Sequence, residues 1–264
     1  MGNAAYDFNR NNYYKKNNII DFDFRTKQVV APKAEAPTGE YDNRAGKKTE
    51  VYAIRTDEEV KAMIDVLDKH IEEANTPTLK RVAARNKMLF IVGINVGLRA
   101  SDLRLLTWDF FFKQMPDGKF EFRDGYSLRP KKTARYQKHV NLHFNSAVKK
   151  VISWYVEQYP IDDIKGYVFR SRQLDKPITV NAMCRVVKET GEEAGIKQPL
   201  GSHSMRKTLG YRMYHDADNK TEALIILQSI YGHSAPSTTL KYIGISNDEI
   251  ESAFGDLNIG IDYI

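Results

Sequence analysis

The clearest hydrophobic pattern in the chain begins just after Thr56, where apolar residues return at the spacing of one helix face. Thr56 and Glu59 stand in the positions of a capping box, the reciprocal side-chain to backbone bonding that begins many helices. The pattern therefore predicts a helix from Thr56 onward, with an apolar face made of Val60, Met63, Ile64, Leu67 and Ile71.

Two more helices are predicted before the pattern changes. A second apolar stripe runs over residues 78–95 and ends in the turn around Gly97. Ser101 has a side chain of the type that caps helices, so we expect it to begin a third helix over residues 102–108.

Residues 109–142 are typical of short β-strands. Asp117-Gly118 and Asp124-Gly125 are turn signals that divide this stretch. The strand candidates are Phe110–Phe112, Lys119–Arg123, Tyr126–Arg129 and His139–Leu142.

Helical spacing resumes after Leu142, with further helices expected near residues 180–194, 204–216 and 221–230. Pro236 suits the first turn of another helix. Ser246 and Glu249 form a second capping box, which predicts a tail helix over residues 246–256. The predicted fold class is α+β: mostly helical, with a small antiparallel β-sheet.

Residues 1–49 differ from the rest because they are polar and are punctuated by proline and glycine. Such a stretch buries too little surface to fold alone, so we expect a flexible arm with room for a short strand around residues 19–24. Residues 50–264 are then expected to form one folded domain that ends in the tail helix.

Composition narrows the class of protein. A net charge of +6 favours a polyanionic partner, above all nucleic acid. The single cysteine, Cys184, excludes a disulfide framework and a cysteine-based zinc site. The chain has no apolar run of membrane-spanning length and no signal-peptide core at its N-terminus. We therefore expect a cytoplasmic, nucleoid-associated protein with no membrane contact.

Three separated clusters carry candidate chemistry. In the first, Arg99 follows the turn at Gly97 and precedes a helix, where backbone N–H groups also attract anions, and Asp102 is placed to brace it. In the second, His203 and Arg206 are three residues apart and share one helix face. Each cluster alone is also compatible with an ordinary helix cap or surface pair.

The third cluster holds His233 and Tyr242. Nine residues apart on one straight helix, they would lie on opposite faces. Pro236 breaks the helix between them, so both side chains can face one site. Taken alone, Tyr242 is more typical of a core or surface aromatic residue.

A basic segment lies between the first two clusters and resembles a β-hairpin, residues 129–142. Its loop is suited to a DNA backbone, although a solvated charged turn has the same composition. We expect DNA-phosphate contacts from Lys131, Arg135 and Lys138 of this segment, and from Lys207 beside Arg206.

Taken in order, these segments resemble the catalytic domain of the tyrosine recombinases, the phage integrase family. The resemblance covers about residues 50–255, and it rests on GLRASDLRLLTW from residue 97, SHSMRKT from residue 202 and LQSIYGHSAPSTTLKY from residue 227. It implies site-specific cutting and rejoining of DNA. Tyr242 would be the nucleophile, Arg99 and Arg206 would hold the scissile phosphate, and Asp102 matches the acidic position that supports the first arginine.

The resemblance also assigns the groups that move protons. Lys132 is similar to the hairpin lysine that protonates the leaving 5′ oxygen, and the adjacent Lys131 is the rival for this role. His203 resembles the histidine that transfers protons, and His233 resembles the second histidine, which bonds the phosphate or the nucleophile. Cations at the phosphate oxygens stabilise a charge-rich transition state, so we expect no metal and no cofactor.

Relatives usually carry a separate core-binding domain before the catalytic one, whereas residues 1–49 are polar here. We expect weak, salt-sensitive DNA binding and assembly into a tetramer on DNA through the C-terminal tail. Two other functions fit the same residues: a type IB topoisomerase-like enzyme that relaxes DNA, and a non-catalytic DNA-binding protein that keeps the fold.

Overall fold

The computed structural model describes residues 21–22, 50–128, 140–172 and 176–245. Within these ranges the chain forms the helices α1 Asp57–Glu72, α2 Pro77–Val96, α3 Ala100–Leu103, α4 Ser146–Gln158, α5 Val180–Glu193, α6 Ser202–His215, α7 Lys220–Tyr231 and α8 Pro236–Ile243. The strands are β1 Asp21–Phe22, β2 Phe112–Gln114, β3 Phe120–Phe122, β4 Gly125–Leu128 and β5 Val140–His143. The predicted α+β class is confirmed.

Side-chain caps set the beginnings of the helices. Thr56 Oγ1 accepts from the backbone N–H of Glu59 at 3.1 Å, and the Glu59 carboxylate accepts from the backbone of Thr56 at 3.3 Å, as the capping box predicts. Helix α2 begins at Pro77 because the Thr76 side chain accepts from the N–H of Leu79 at 3.2 Å. Pro236 lies at the first position of α8, as expected.

The prediction of a helix over residues 102–108, capped by Ser101, is wrong. Helix α3 has four residues and its N-cap is Arg99. The chain then leaves the helix because the carbonyl of Leu106 bonds the N–H of Val168, and the N–H of Trp108 bonds the carbonyl of Gly166. Trp108–Phe110 forms a 3₁₀ turn, so Phe110 does not belong to a strand.

The strands form two small sheets rather than one. Strands β2 and β3 make an antiparallel pair in which Phe112 faces Phe122. Strands β4 and β5 are antiparallel in the other sheet, with Tyr126 opposite Leu142. Strand β1 joins the free side of β4 in parallel, so the expected strand near residues 19–24 is present, but the second sheet is mixed.

Two apolar clusters lie beneath these elements. The larger one joins α1, α2, α4 and α5 to the aromatic residues of the 109–126 segment. The smaller one lies among α6, α7 and α8 and is built on Leu227, Tyr231, Ile243 and Ile245. The candidate catalytic tyrosine, Tyr242, packs against this smaller cluster.

Several predictions fall on residues outside the described ranges. The arm apart from residues 21–22, the basic loop of residues 129–139, and the tail from residue 246 are among them, so those predictions stay predictions. None of the helices in the described part combines the length and the apolar character that crossing a membrane requires. Within the same part, His, Cys, Asp and Glu residues form no group of three that would hold a metal ion.

Candidate active site

Arg99 is positioned by the turn that joins α2 to α3. Gly97 ends α2 in the left-handed conformation, with a φ of 64°. Arg99 follows as the N-cap of α3, with an extended backbone. Its side chain is half-buried, and its Nη2 donates a hydrogen bond to the carbonyl oxygen of Tyr231 at 3.4 Å. The predicted junction of glycine turn and helix start therefore directs Arg99 toward the end of α7.

Arg206 projects from the second turn of α6 and is only 4% exposed. Its Nη1 donates to the carbonyl of Gly97, and its Nη2 donates to the carbonyl of Tyr231 at 3.2 Å. Its guanidinium lies 4.2 Å from the centre of the Tyr231 ring. Burial lowers the pKa of Arg206, whereas the charge of Asp102 opposes that shift. The two arginines thus converge on one carbonyl oxygen, although 107 positions separate them in the sequence (206 − 99).

Asp102 is 1% exposed and lies in α3. Its backbone N–H donates to the carbonyl of Arg99 at 2.8 Å, which ties it to the turn that carries this arginine. A buried carboxylate stabilises nearby guanidinium groups, and the negative charge of Asp102 favours the protonated form of Arg206. Asp102 is therefore placed to support the arginine pair.

Tyr242 lies in the last turns of α8, and its side chain is half-buried. Its hydroxyl oxygen is 3.5 Å from Nδ1 of the exposed His203 ring. Burial raises the pKa of Tyr242, and the opposing influences are the positive charges of Arg206 and Arg99 and a hydrogen bond from Arg206. The phenol is therefore mostly protonated at neutral pH. It must lose its proton as it attacks an electrophile.

His233 follows Gly232, which ends α7 with a left-handed φ of 67°. Its Nδ1 is 3.1 Å from the hydroxyl of Thr239 in α8, and its ring meets the edge of the Tyr242 ring with centroids 5.4 Å apart. Burial, together with the charges of Arg206 and Arg99, lowers the pKa of His233. At neutral pH this imidazole is neutral and can both donate and accept hydrogen bonds.

Lys207 lies between the candidate nucleophile and an acidic residue. Its Nζ is 5.8 Å from the centre of the Tyr242 ring and 3.9 Å from a carboxylate oxygen of Glu50. The side chain is 12% exposed, and burial lowers its pKa. Lys207 therefore lies beside Tyr242, and its predicted phosphate contact stays a prediction.

The loop of the basic hairpin, residues 129–139, lies outside the described residues. Strands β4 and β5, which flank residues 129–139, are antiparallel neighbours. The predicted contacts of Lys131, Lys132, Arg135 and Lys138 with DNA remain predictions, as does the choice between Lys131 and Lys132 as the proton donor.

Two residues that the sequence did not single out belong to this site. Tyr231 accepts hydrogen bonds from both arginines through its carbonyl, and Thr239 lies within hydrogen-bond distance of His233. Tyr231 is an apolar-face residue that directly precedes Gly232 and His233, so sequence spacing alone favours a core position. The sequence signal that could have assigned Tyr231 to the site is its position directly before Gly232 and His233.

The arrangement gathers two guanidiniums, two imidazoles and a phenol around one space. Guanidiniums bind the oxygens of phosphate or carboxylate groups, often in pairs. A phenol beside an imidazole is a nucleophile with an adjacent proton acceptor. The set is suited to nucleophilic attack on an anionic phosphodiester.

Comparisons with known proteins agree with this chemistry. Residues 54–249 match the phage integrase family. The "Probable integrase/recombinase YoeC" of Bacillus subtilis (strain 168) is 32% identical over 170 residues, which cover 64% of this chain and 83% of that protein.

Solved structures share the fold at low sequence identity. The XerH site-specific recombinase bound to palindromic difH substrate, a post-cleavage complex, has a TM-score of 0.56 and 18% identity; the match covers 80% of this chain and 54% of that chain. The XerA recombinase has a TM-score of 0.54 and 16% identity, with 81% and 66% covered. The chain thus spans about half the length of the XerH recombinase.

Proposed function

The chain belongs to the phage integrase family, and from this membership we propose that it is a site-specific recombinase whose Tyr242 forms a covalent bond with a DNA 3′-phosphate. The observation that carries the proposal is the position of the Tyr242 hydroxyl oxygen, 3.5 Å from Nδ1 of His203, where burial raises the pKa of the phenol and the charge of Arg206 acts to lower it. A nucleophile and a proton acceptor therefore meet at one oxygen atom, and the charge of a phosphate-binding arginine acts on that oxygen.

In the proposed cleavage step the Tyr242 oxygen forms a bond to phosphorus, and the bond from phosphorus to the 5′ oxygen breaks. The phenolic proton passes to Nδ1 of His203, which accepts it when the ring's other nitrogen carries hydrogen. The 5′ oxygen takes a proton from the hairpin lysine, Lys132 or its neighbour Lys131. Rejoining reverses these transfers, so the phosphotyrosyl bond conserves the energy of the broken phosphodiester.

Arg99 and Arg206 act on the phosphate in this scheme. Two fixed positive charges stabilise the transition state, which concentrates more negative charge on the phosphoryl oxygens than the ground state does. Arg206 is held by two backbone carbonyls, which orient its guanidinium. His233 lies against the edge of the Tyr242 ring and is suited to bond either the phenol or a phosphate oxygen.

A covalent-capture assay tests the proposal. Nicked duplexes tiled across the genomic DNA that flanks the coding sequence release a short strand on cleavage, which prevents rejoining. The wild-type protein should become trapped on one of these duplexes, and Tyr242→Phe should form no trapped complex. Trapping by the Phe variant would show that another residue is the nucleophile. Relaxation of a supercoiled plasmid without strand exchange between two sites would favour the topoisomerase-like alternative.

We further propose that the protein binds double-stranded DNA as a multimer, with the tail after Ile245 docking on a neighbouring copy. Support comes from the tail sequence, whose predicted helix carries apolar Ile250 and Phe254 at a common face. Deletion of residues 246–264 should then remove cooperative binding to a two-site duplex in a gel-shift titration. Unchanged cooperativity would argue against the tail. The expected location is the cytoplasm, in association with the nucleoid.

A further inference from the structure

Tyr231 is the last residue of α7 and is 1% exposed. Three separate parts of this residue contact the arginines of the candidate site. Its carbonyl oxygen accepts from Nη2 of Arg206 at 3.2 Å and from Nη2 of Arg99 at 3.4 Å. The centre of its ring lies 4.2 Å from the Arg206 guanidinium. Its hydroxyl donates to the backbone carbonyl of Arg206 at 2.6 Å.

We propose that the Tyr231 side chain is a positioning residue that sets the plane of the Arg206 guanidinium for the reacting phosphate, an inference that rests on the proposed function. The ring supplies a flat, electron-rich face against which the guanidinium stacks. The hydroxyl fixes the ring relative to the helix backbone from which Arg206 projects. Together they hold the backbone and the guanidinium of Arg206 against one rigid group.

The fold makes room for this hydroxyl at Gly210. A Cβ atom at that position would lie 2.3 Å from the Tyr231 hydroxyl oxygen and 2.6 Å from Cγ2 of Ile243. The Tyr231 hydroxyl therefore reaches the backbone of α6 between Arg206 and Gly210, which are one helical turn apart. A side chain at position 210 would occupy the place of this hydroxyl.

The carbonyl and the side chain of Tyr231 have separable roles. Every residue type at 231 would present a carbonyl, because the last carbonyls of a helix have no partner within the helix. Only an aromatic residue supplies the stacking face, and only tyrosine adds the hydroxyl bond to α6. A substitution at 231 therefore leaves the carbonyl bonds to Arg99 and Arg206 available and removes the constraint on the guanidinium plane.

Tyr231 also contacts two other aromatic groups of the site, the nucleophile and its neighbouring imidazole. Its ring centre is 5.3 Å from the Tyr242 ring and 5.4 Å from the His233 ring. A shift of the Arg206 guanidinium by about 1 Å is enough to slow an enzymatic step by up to about 10²-fold. The expected consequence of losing the ring is thus slower cleavage at an unchanged affinity for DNA.

The test compares variants of Tyr231 in two backgrounds. Tyr231→Phe keeps the ring, Tyr231→Leu removes it, and Tyr231→Met fills similar volume without an aromatic face if the Leu variant does not fold. The matched control is Tyr211→Leu, because Tyr211 belongs to the same apolar cluster and also has an arginine, Arg55, over its ring at 5.1 Å. Each change is made in the wild-type protein and in Arg206→Lys.

Single-turnover cleavage of a nicked duplex is measured at saturating DNA. Tyr231→Leu should cleave about tenfold more slowly than wild type, Tyr231→Phe should fall between the two, and Tyr211→Leu should stay within about threefold of wild type. In Arg206→Lys, the Leu change should add less than about a twofold loss, because coupled residues are not additive. An equal loss in both backgrounds, a wild-type rate for Tyr231→Leu, or a loss that appears only as weaker DNA binding would overturn the inference.

A second readout separates this inference from the proposed function. NMR signals of the Arg206 guanidinium report how fast the group rotates, without any DNA. Rotation should be measurably faster in Tyr231→Leu than in wild type or Tyr211→Leu, and an unchanged rate would overturn the positioning role. If the wild-type protein traps no DNA while this rotation effect is present, the proposed function fails and the positioning of Arg206 stands.

Discussion

At the scale of single residues, opposing influences act on the pKa of Tyr242. Burial raises the pKa of its phenol, and the positive charges of Arg206 and Arg99 act in the other direction but are smaller. A bound phosphate would neutralise part of that positive charge. The phenol therefore does not exist as a stable phenolate at neutral pH, and its proton must leave during the attack. His203 is the neighbour whose ring nitrogen is within reach of that proton.

This requirement predicts a large effect of His203→Gln. We expect single-turnover cleavage to fall about 10²-fold, since general acid–base groups contribute roughly that factor or more. His215→Gln is the matched control, because His215 lies on the same helix and stacks on Tyr211. A cleavage rate for His203→Gln equal to that of the control would remove His203 from the proton transfer.

His233 predicts a pH dependence of stability. Its pKa is lowered in the folded protein by burial and by Arg206 and Arg99, so folding favours the neutral ring. That contribution is present above the unfolded-state pKa of about 6.5 and is lost as the pH falls through the lower folded-state value. The urea midpoint should therefore drop between pH 7.5 and pH 5.5, and His233→Gln should reduce the drop. An equal drop in the variant would contradict this assignment.

At the scale of elements, the junction between α2 and α3 determines where Arg99 points. Gly97 has a left-handed φ of 64°, and a Cβ there would lie 2.3 Å from Cδ2 of Leu209. The left-handed turn favours glycine, and a Cβ at 97 would also require the Leu209 side chain to shift. Arg99 lies two residues after Gly97, so the backbone conformation of this junction determines where the Arg99 guanidinium lies.

Gly97→Ala should therefore lower the free energy of unfolding by about 2–4 kcal/mol, from backbone strain and from overpacking together. Gly118→Ala is the matched control, because Gly118 has a φ of 82° and, among the described residues, no atom lies within 4 Å of the place that a Cβ would take. The control should lose only about 1 kcal/mol, the strain contribution alone. Equal losses in urea unfolding would show that the Leu209 contact is unimportant.

The elements also show which parts of the fold the sequence could predict. Thr56 and Pro236 begin helices as expected, because capping depends on residues within one turn. The expected helix over residues 102–108 is wrong because the N–H of Trp108 and the carbonyl of Leu106 bond residues some sixty positions away, so α3 ends at Leu103. Local signals predict helix beginnings well, whereas such long-range backbone bonds have no local signal.

At the scale of the whole molecule, the site combines residues from the α2–α3 junction with residues from α6, α7 and α8. The motifs predicted most of the gathered side chains, because each lies in a short segment with its own spacing. Tyr231 could not be assigned from spacing, since its role depends on α7 ending against α6 at Gly210. The same packing that buries Tyr231 brings Arg99, Arg206 and Tyr242 together.

A net charge of +6 and a candidate phosphate site predict DNA binding that weakens steeply with salt. The affinity for a duplex should fall at least about tenfold between 50 and 200 mM salt. Arg135→Gln should reduce the slope of log affinity against log salt by about 1 if Arg135 contacts a phosphate. Lys61→Gln, an exposed change in an ion pair with Asp65 on α1, is the control. An affinity that is independent of salt would contradict the proposed phosphate contacts.

The central claim is that the fold directs one phenol, that of Tyr242, at a phosphodiester held by Arg99 and Arg206. Mass spectrometry of the peptide that remains attached to DNA after capture on a nicked duplex tests it most directly. We expect a nucleotide adduct on the peptide that contains Tyr242, at the 3′ end of the cut strand. An adduct on any other of the 15 tyrosines, or a bond to the 5′ end, would contradict it.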